Sequence, residues 1–229
     1  MSTTLITALD FFNEADAFGI VERIGDGCQW YKVGKQLFTS AGPDIVRRLK
    51  GMGKKVFLDL KYHDIPNTVA QAVTAAAQIG ADMCNVHASG GPTMLKAAAK
   101  AAGDSGILLT AVTVLTSLDA LELQAIGIAA TPEEQVLRLA KLTQDCGVPG
   151  VVCSALELNG IRSICGKDFI TVVPGIRPAD SSADDQKRIM TPSHAAQADA
   201  TFIVVGRPIT KASDPCAAAQ SVQAEIRKN

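Results

Sequence analysis

Eight short apolar runs, each followed by a longer stretch of helical composition, set the strongest limit on what this chain can fold into. The candidate strands are residues 4–10, 30–34, 55–61, 83–88, 107–115, 150–154, 169–174 and 201–206. Most are nearly continuous in apolar residues, as expected of parallel strands covered by helices. Helices are expected over 13–24, 43–52, 67–79, 92–102, 132–146, 155–164, 192–198 and 214–228. Pro43, Pro92, Pro132 and Pro192 sit at or near four of the helix starts, where a missing N–H costs nothing. Residues 118–127 read as an extra helical piece in the fifth βα loop. This β-then-α alternation favours an α/β fold of the closed (β/α)8 TIM barrel type, although the pattern alone also fits an open doubly wound sheet.

At 229 residues and 47% hydrophobic content, the chain can bury one sizeable core. A single barrel domain over residues 1–229 is expected, since no repeat, low-complexity segment or Pro/Gly/Ser-rich linker divides it. Lysine and arginine total 22 against 23 acidic residues, a net charge of -1. Without surplus positive charge there is no case for a nucleic acid or an anionic membrane surface as partner. The opening MSTTLITALD lacks the basic start and apolar core of a secretory leader, and the longest nearly apolar run, 106–118, falls short of the roughly 18 residues that span a bilayer. The expectation is a soluble, cytoplasmic protein. Six scattered cysteines with no C-x-x-C pair read as reduced, mostly buried thiols, with no metal site among them.

In a barrel the functional face carries the C-terminal strand ends, so polar residues ending apolar strands are the candidates. They are Asp10, Lys32, Asp59, Lys61 and Thr116, then Pro174, Gly175, Ile176 and Arg177 after the seventh strand and Gly206 and Arg207 after the eighth. Asp59 and Lys61, two apart on a strand, should point to one face while Leu58 and Leu60 point to the other. Burying such charges favours a network in which Lys32 and Lys61 alternate with Asp59 and Asp64. Charge pattern alone reads equally well as a structural ion-pair cluster. Glycines 175 and 206 with Arg177 and Arg207 suit a phosphate, bound where barrels commonly bind one. His63, His87 and His194 lack metal-ligand spacing and read as structural or surface residues.

The segment LDLKYHDIPNT, residues 58–68, resembles the orotidine 5'-phosphate decarboxylase family. ITALD, YKVGKQLF, AVTVLTS, VVPGIRP, DDQKRIMTP and VVGRPIT extend the resemblance, in order, across nearly the whole chain. It implies conversion of orotidine 5'-monophosphate to uridine 5'-monophosphate and CO2 in pyrimidine biosynthesis, with no cofactor and no metal. It implies Lys61 as proton donor, Asp59 beside the substrate carboxylate, and Asp10 and Lys32 at the ribose. Thr116 and Gln186 would meet the pyrimidine, Gln186 also bridging to the phosphate held by Arg177, Gly206 and Arg207, with Pro174 among the substrate contacts. Asp64, Ile65 and Thr68 would reach the neighbouring subunit's site in a homodimer with shared active sites. Two alternatives stand beside it: a metal-dependent sugar-phosphate decarboxylase or aldolase on the same barrel, which would carry a metal-binding glutamate where this chain has Lys32, and a non-catalytic phosphate-ligand binding barrel.

Overall fold

A parallel sheet that closes on itself organises the molecule. The computed structural model describes residues 2–178 and 190–227. In chain order the elements are β1 (Thr4–Leu9), α1 (Glu14–Ile24), β2 (Trp30–Gly34), α2 (Lys35–Ala41), α3 (Asp44–Gly51), β3 (Lys55–Tyr62), α4 (Pro66–Gln78), β4 (Met83–His87), α5 (Gly91–Ser105) and β5 (Leu108–Val112). The second half runs α6 (Ala120–Ala125), α7 (Pro132–Asp145), β6 (Gly150–Val152), α8 (Leu158–Cys165), β7 (Ile170–Val173), α9 (Pro192–Gln197), β8 (Phe202–Val205), α10 (Arg207–Thr210) and α11 (Pro215–Arg227). Each strand pairs in parallel with the next, and β8 returns to β1 through the pair Thr4↔Phe202, giving the eight-stranded TIM barrel and excluding the open sheet.

Local chemistry places the helices. Asn13 caps α1 by accepting from the Asp16 N–H, and Gly25, at φ 53°, ends it. Reciprocal capping boxes start α6 (Asp119 with Glu122) and α7 (Thr131 with Glu134), satisfying N–H groups that have no partner within the helix. The extra helical piece expected over 118–127 is α6. Helix α2 was not expected: its seven residues are too few to show a period. The helix expected over 155–164 opens instead as a 3-10 turn, Ala155–Glu157, before α8.

Strand parity sorts the core. Leu5, Tyr31, Val33, Leu58, Cys84, Val86 and Val205 face outward into the large apolar layer beneath the helices. Ile6, Ala8, Phe57, Met83, Val172 and Val204 face inward and, with Trp30 and Phe202 edge to face, plug the lower barrel. Higher on the same inward rows the residues turn polar: Trp30 is followed by Lys32, Phe57 by Asp59 and Met83 by Asn85. The plug therefore sets a dry floor under a charged layer.

One irregularity bears on the site. The β3–β4 register passes from Leu58↔Cys84 to Tyr62↔Val86, four residues advancing against two. Lys61 sits in this bulge at φ 55°, a left-handed conformation uncommon for a residue with a Cβ.

Two glycine substitutions should act oppositely. A Cβ on Gly150, at the start of β6, would lie 2.5 Å from the Ile170 carbonyl oxygen, backbone that cannot yield, whereas one on Gly19 in α1 meets nothing within 4 Å. Gly150→Ala should lower the unfolding free energy by about 2 kcal/mol, and Gly19→Ala should raise it by roughly 0.5–1 kcal/mol, both read from urea-denaturation midpoints.

Candidate active site

The charged layer is a chain of ion pairs across three neighbouring strands. Lys32 Nζ lies 3.1 Å from Asp10 Oδ1 and 3.4 Å from Asp59 Oδ2. Lys61 Nζ lies 2.5 Å from the other oxygen, Asp59 Oδ1. Asp59, only 9% exposed, thus stands between two ammonium groups. Burial alone would raise its pKa, but the charges of Lys32 and Lys61, with hydrogen bonds from Lys61 and Asn85, hold it below the ordinary carboxylate range. Burial likewise works against the Lys32 ammonium, and the charges of Asp59 and Asp10 outweigh it, holding the pKa above its usual value. Gly34 leaves room for this ammonium, since a Cβ there would lie 3.0 Å from Lys32 Nζ.

Two adjoining cavities share this layer. One, about 230 Å³, is polar: Asp10, Lys32 and Asp59 on one side, Arg177, Gly206 and Arg207 on the other. Gly175, also in its lining, has φ 75°, which glycine adopts without strain. The second, about 180 Å³, is lined by Lys32, Asp59 and Lys61 at one end and by Val112, Val114, Val152 and Val172 elsewhere, with Thr116 at its edge. Pro174 borders both. An anion whose oxygens accept from the forked donors of Arg177 and Arg207 suits the first chamber and a flat, weakly polar ring the second, with the ammonium groups between them. A larger cavity of about 570 Å³ opens at the opposite end of the barrel, among Thr3, Gln29, Trp30 and Arg227, and shares no residue with the charged layer.

The placement of the sequence candidates divides them. Asp10, Lys32, Asp59, Lys61, Thr116, Pro174, Arg177, Gly206 and Arg207 line the paired chambers. Thr116 does so from a loop, because β5 stops at Val112 and not beside it as expected. The expected place for Asp64 in the charge network is corrected: its carboxylate accepts from the Ile65 N–H at 2.6 Å on the exposed turn before α4 and pairs with neither lysine within the chain. Ile65 and Thr68 are exposed beside it. Gln186 lies outside the described residues.

Sequence reasoning missed Asn85. This fully buried residue donates from Nδ2 to Asp59 Oδ1 at 2.8 Å and accepts at Oδ1 from the Lys61 backbone N–H at 2.8 Å. A lone Asn in the apolar strand MCNVH was the available signal, since a buried amide requires partners. Among the described residues no group of three or more His, Cys, Asp and Glu could hold a metal ion. His63 and His87 stack loosely at 5.5 Å between ring centres. The cysteines are free, five buried and Cys216 half-buried. No helix among the described residues is long and apolar enough to cross a membrane.

Comparison with known proteins agrees with this geometry. Residues 3–222 match the profile described as the orotidine 5'-phosphate decarboxylase / HUMPS family. The chain is 52% identical over 227 residues to the orotidine 5'-phosphate decarboxylase of Chromobacterium violaceum, covering 98% of this chain and 92% of the relative. It is 51% identical over 228 residues to that of Photobacterium profundum, covering 98% and 97%. Among solved structures, orotidine 5'-phosphate decarboxylase from Lactobacillus acidophilus superposes with a TM-score of 0.87 at 40% identity, covering 98% of this chain and 99% of that one. A conserved protein from Geobacillus kaustophilus gives 0.86 at 37% identity, covering 97% and 99%.

His87 should titrate abnormally. Burial first, then the neighbouring positive charges of His63, Lys35 and Lys61, push its pKa down to about 4. The folded state thus binds this proton less readily than the unfolded chain, whose histidine titrates near ~6.5. The contribution is complete above that pH and is lost as pH falls from there toward about 4. Proton NMR should place the His87 midpoint near 4 in the folded protein, against the ordinary histidine midpoint of ~6.5 in urea.

Proposed function

The chain belongs to the orotidine 5'-phosphate decarboxylase / HUMPS family, and from that premise we propose that it converts orotidine 5'-monophosphate to uridine 5'-monophosphate and CO2, without a cofactor, using Lys61 as the proton donor. The observation that carries this reading is the pair of ammonium groups held around the buried Asp59 carboxylate at the junction of a polar and an apolar chamber.

The reaction breaks the bond between C6 and the carboxylate carbon. Its electron pair stays on C6 in an sp2 orbital, with no adjacent carbonyl to delocalise it as an enolate. Stabilisation must come from a positive charge already in place, and the Lys61 ammonium supplies it and then donates a proton to C6, producing uridine 5'-monophosphate. Asp59 holds Lys61 in position and lies beside the departing carboxylate. Asp10 and Lys32 take the ribose hydroxyls, and Thr116 meets the pyrimidine edge while the valines around it exclude water. Arg177, Gly206 and Arg207 grip the phosphate, with Pro174 bordering it; Gln186 joins pyrimidine to phosphate. Binding energy from the phosphate, remote from C6, orients the ring against Lys61.

The metal-dependent alternative is disfavoured by Lys32. Its ammonium lies within 3.4 Å of both Asp10 and Asp59, where a divalent cation would have to displace it to use the two carboxylates. A binding-only barrel would have no use for a second ammonium on Asp59.

Exposure of Asp64, Ile65 (66%) and Thr68 at the barrel mouth supports a homodimer in which these residues complete the partner's site. Phe12, 81% exposed in the β1–α1 loop at the same end, adds apolar surface for such an interface. In this reading the whole chain acts as one cytoplasmic barrel domain, with a small nucleotide as substrate and no nucleic acid partner.

Lys61→Ala should lower kcat/KM for orotidine 5'-monophosphate by about four orders of magnitude while calorimetry still detects binding of uridine 5'-monophosphate; undiminished turnover would defeat the assignment. Mixing inactive Asp64→Asn with inactive Lys61→Ala protein should restore activity through one intact composite site per heterodimer. No recovery, with heterodimers demonstrated by mass spectrometry, would exclude shared sites.

A further inference from the structure

The bulge that carries Lys61 interrupts the β3–β4 ladder, and one side chain closes the gap. Asn85 lies between the two ordered pairs, Leu58↔Cys84 and Tyr62↔Val86, opposite the extra residues of β3. Cys84 and Val86 point into the helix-facing core, so strand parity turns Asn85 into the barrel. There its Oδ1 stands in for a missing ladder acceptor by taking the Lys61 N–H, and its Nδ2 donates to Asp59 Oδ1, the same oxygen that Lys61 Nζ contacts. The partners settle the amide's orientation, because a backbone N–H only donates and a carboxylate only accepts.

We propose that Asn85 is a positioning residue for the decarboxylation: one amide fixes the left-handed backbone of Lys61 and the carboxylate of Asp59 to the same strand, and so sets the distance between proton donor and departing carboxylate. The proposal deepens the functional reading above and rests on it. Three features support a role beyond filling space. The residue is fully buried, so its two bonds are not exchanged with water. Its partners, the Lys61 backbone N–H and an Asp59 carboxylate oxygen, belong to the two residues of β3 whose side chains pair in the charged layer. Thr110, its register partner on β5, spends its hydroxyl on the Cys84 carbonyl and cannot replace it. The charged groups that adjoin Asn85 are Asp59 and Lys61, with Lys32 on the far oxygen of Asp59 and His87 two residues further along β4.

The test is steady-state turnover of orotidine 5'-monophosphate by wild type, Asn85→Ala and Asn85→Asp across pH, with circular dichroism and thermal melts as fold controls. Asn85→Ala leaves the Lys61 N–H and one Asp59 oxygen without this partner; kcat should fall by about 30-fold, the order expected for losing a buried hydrogen bond to a charged group, while KM changes by less than about threefold. Asn85→Asp is nearly isosteric. Ionised, it keeps the acceptor for Lys61 but repels Asp59; protonated, its hydroxyl can donate to Asp59 as the amide did. Its kcat relative to wild type at the same pH should therefore recover as pH falls, a response that a merely structural role does not produce. Folded variants with wild-type kcat, or an Asn85→Asp profile parallel to wild type, would overturn the proposal while leaving the functional reading intact. Failure of both variants to fold would overturn it too, assigning the amide to the barrel alone. A wild-type protein without turnover would remove the functional reading, and the proposal with it.

Discussion

Everything at the mouth of this barrel depends on keeping one carboxylate ionised between two ammonium groups where little water reaches. Asp59 bears most of that burden. Isolated at 9% exposure it would favour its neutral form, and its depressed pKa is the sign that Lys32, Lys61 and Asn85 together outweigh desolvation. The array is not a stability device in any simple sense, because an apolar substitute for buried ion pairs often serves a fold equally well. Its value is positional. Charges bonded to one another before substrate arrives need little rearrangement when charge develops during reaction, which is the condition under which electrostatic stabilisation of a transition state is strongest.

The fold creates this condition by layering. Inward rows begin with Ile6, Trp30, Phe57 and Met83, large apolar residues that fill the lower barrel; one step higher come Lys32, Asp59 and Asn85, while β1 passes through Ala8 before reaching Asp10. The apolar floor prevents solvent from reaching the array from below, while valines wall the ring chamber on one side. Forked donors and glycines at the ends of β7 and β8 form the other chamber. Within the charged layer the backbone departs from regular strand geometry at the bulge that carries Lys61, the second ammonium on Asp59.

The barrel was readable in sequence because continuous apolar strands and intervening helices leave few other ways to bury both faces of a parallel sheet. The strand-end charges were readable for the same reason: Asp10, Lys32, Asp59 and Lys61 stand out against apolar surroundings. What escaped was the consequence of irregular backbone. Period-two parity brings Asp59 and Lys61 together, yet they meet through a left-handed residue that no spacing rule signals. Asn85 escaped because a single amide in a strand carries no charge pattern, and its importance comes from a ladder gap visible only in three dimensions. Asp64 was drawn into the network by its nearness in sequence, whereas the turn before α4 carries it outward. Short α2 lay below the length at which helical periodicity can be recognised.

The central claim is that these side chains alone, without metal or cofactor, provide the positive charge the reaction needs. The most direct measurement is ultraviolet loss of orotidine 5'-monophosphate in protein exhaustively treated with chelator and desalted. Unchanged turnover, insensitive to added magnesium, is the result predicted. Turnover abolished by the chelator and restored by magnesium would contradict the account, because the charge at C6 would then come from a metal ion and not from Lys61.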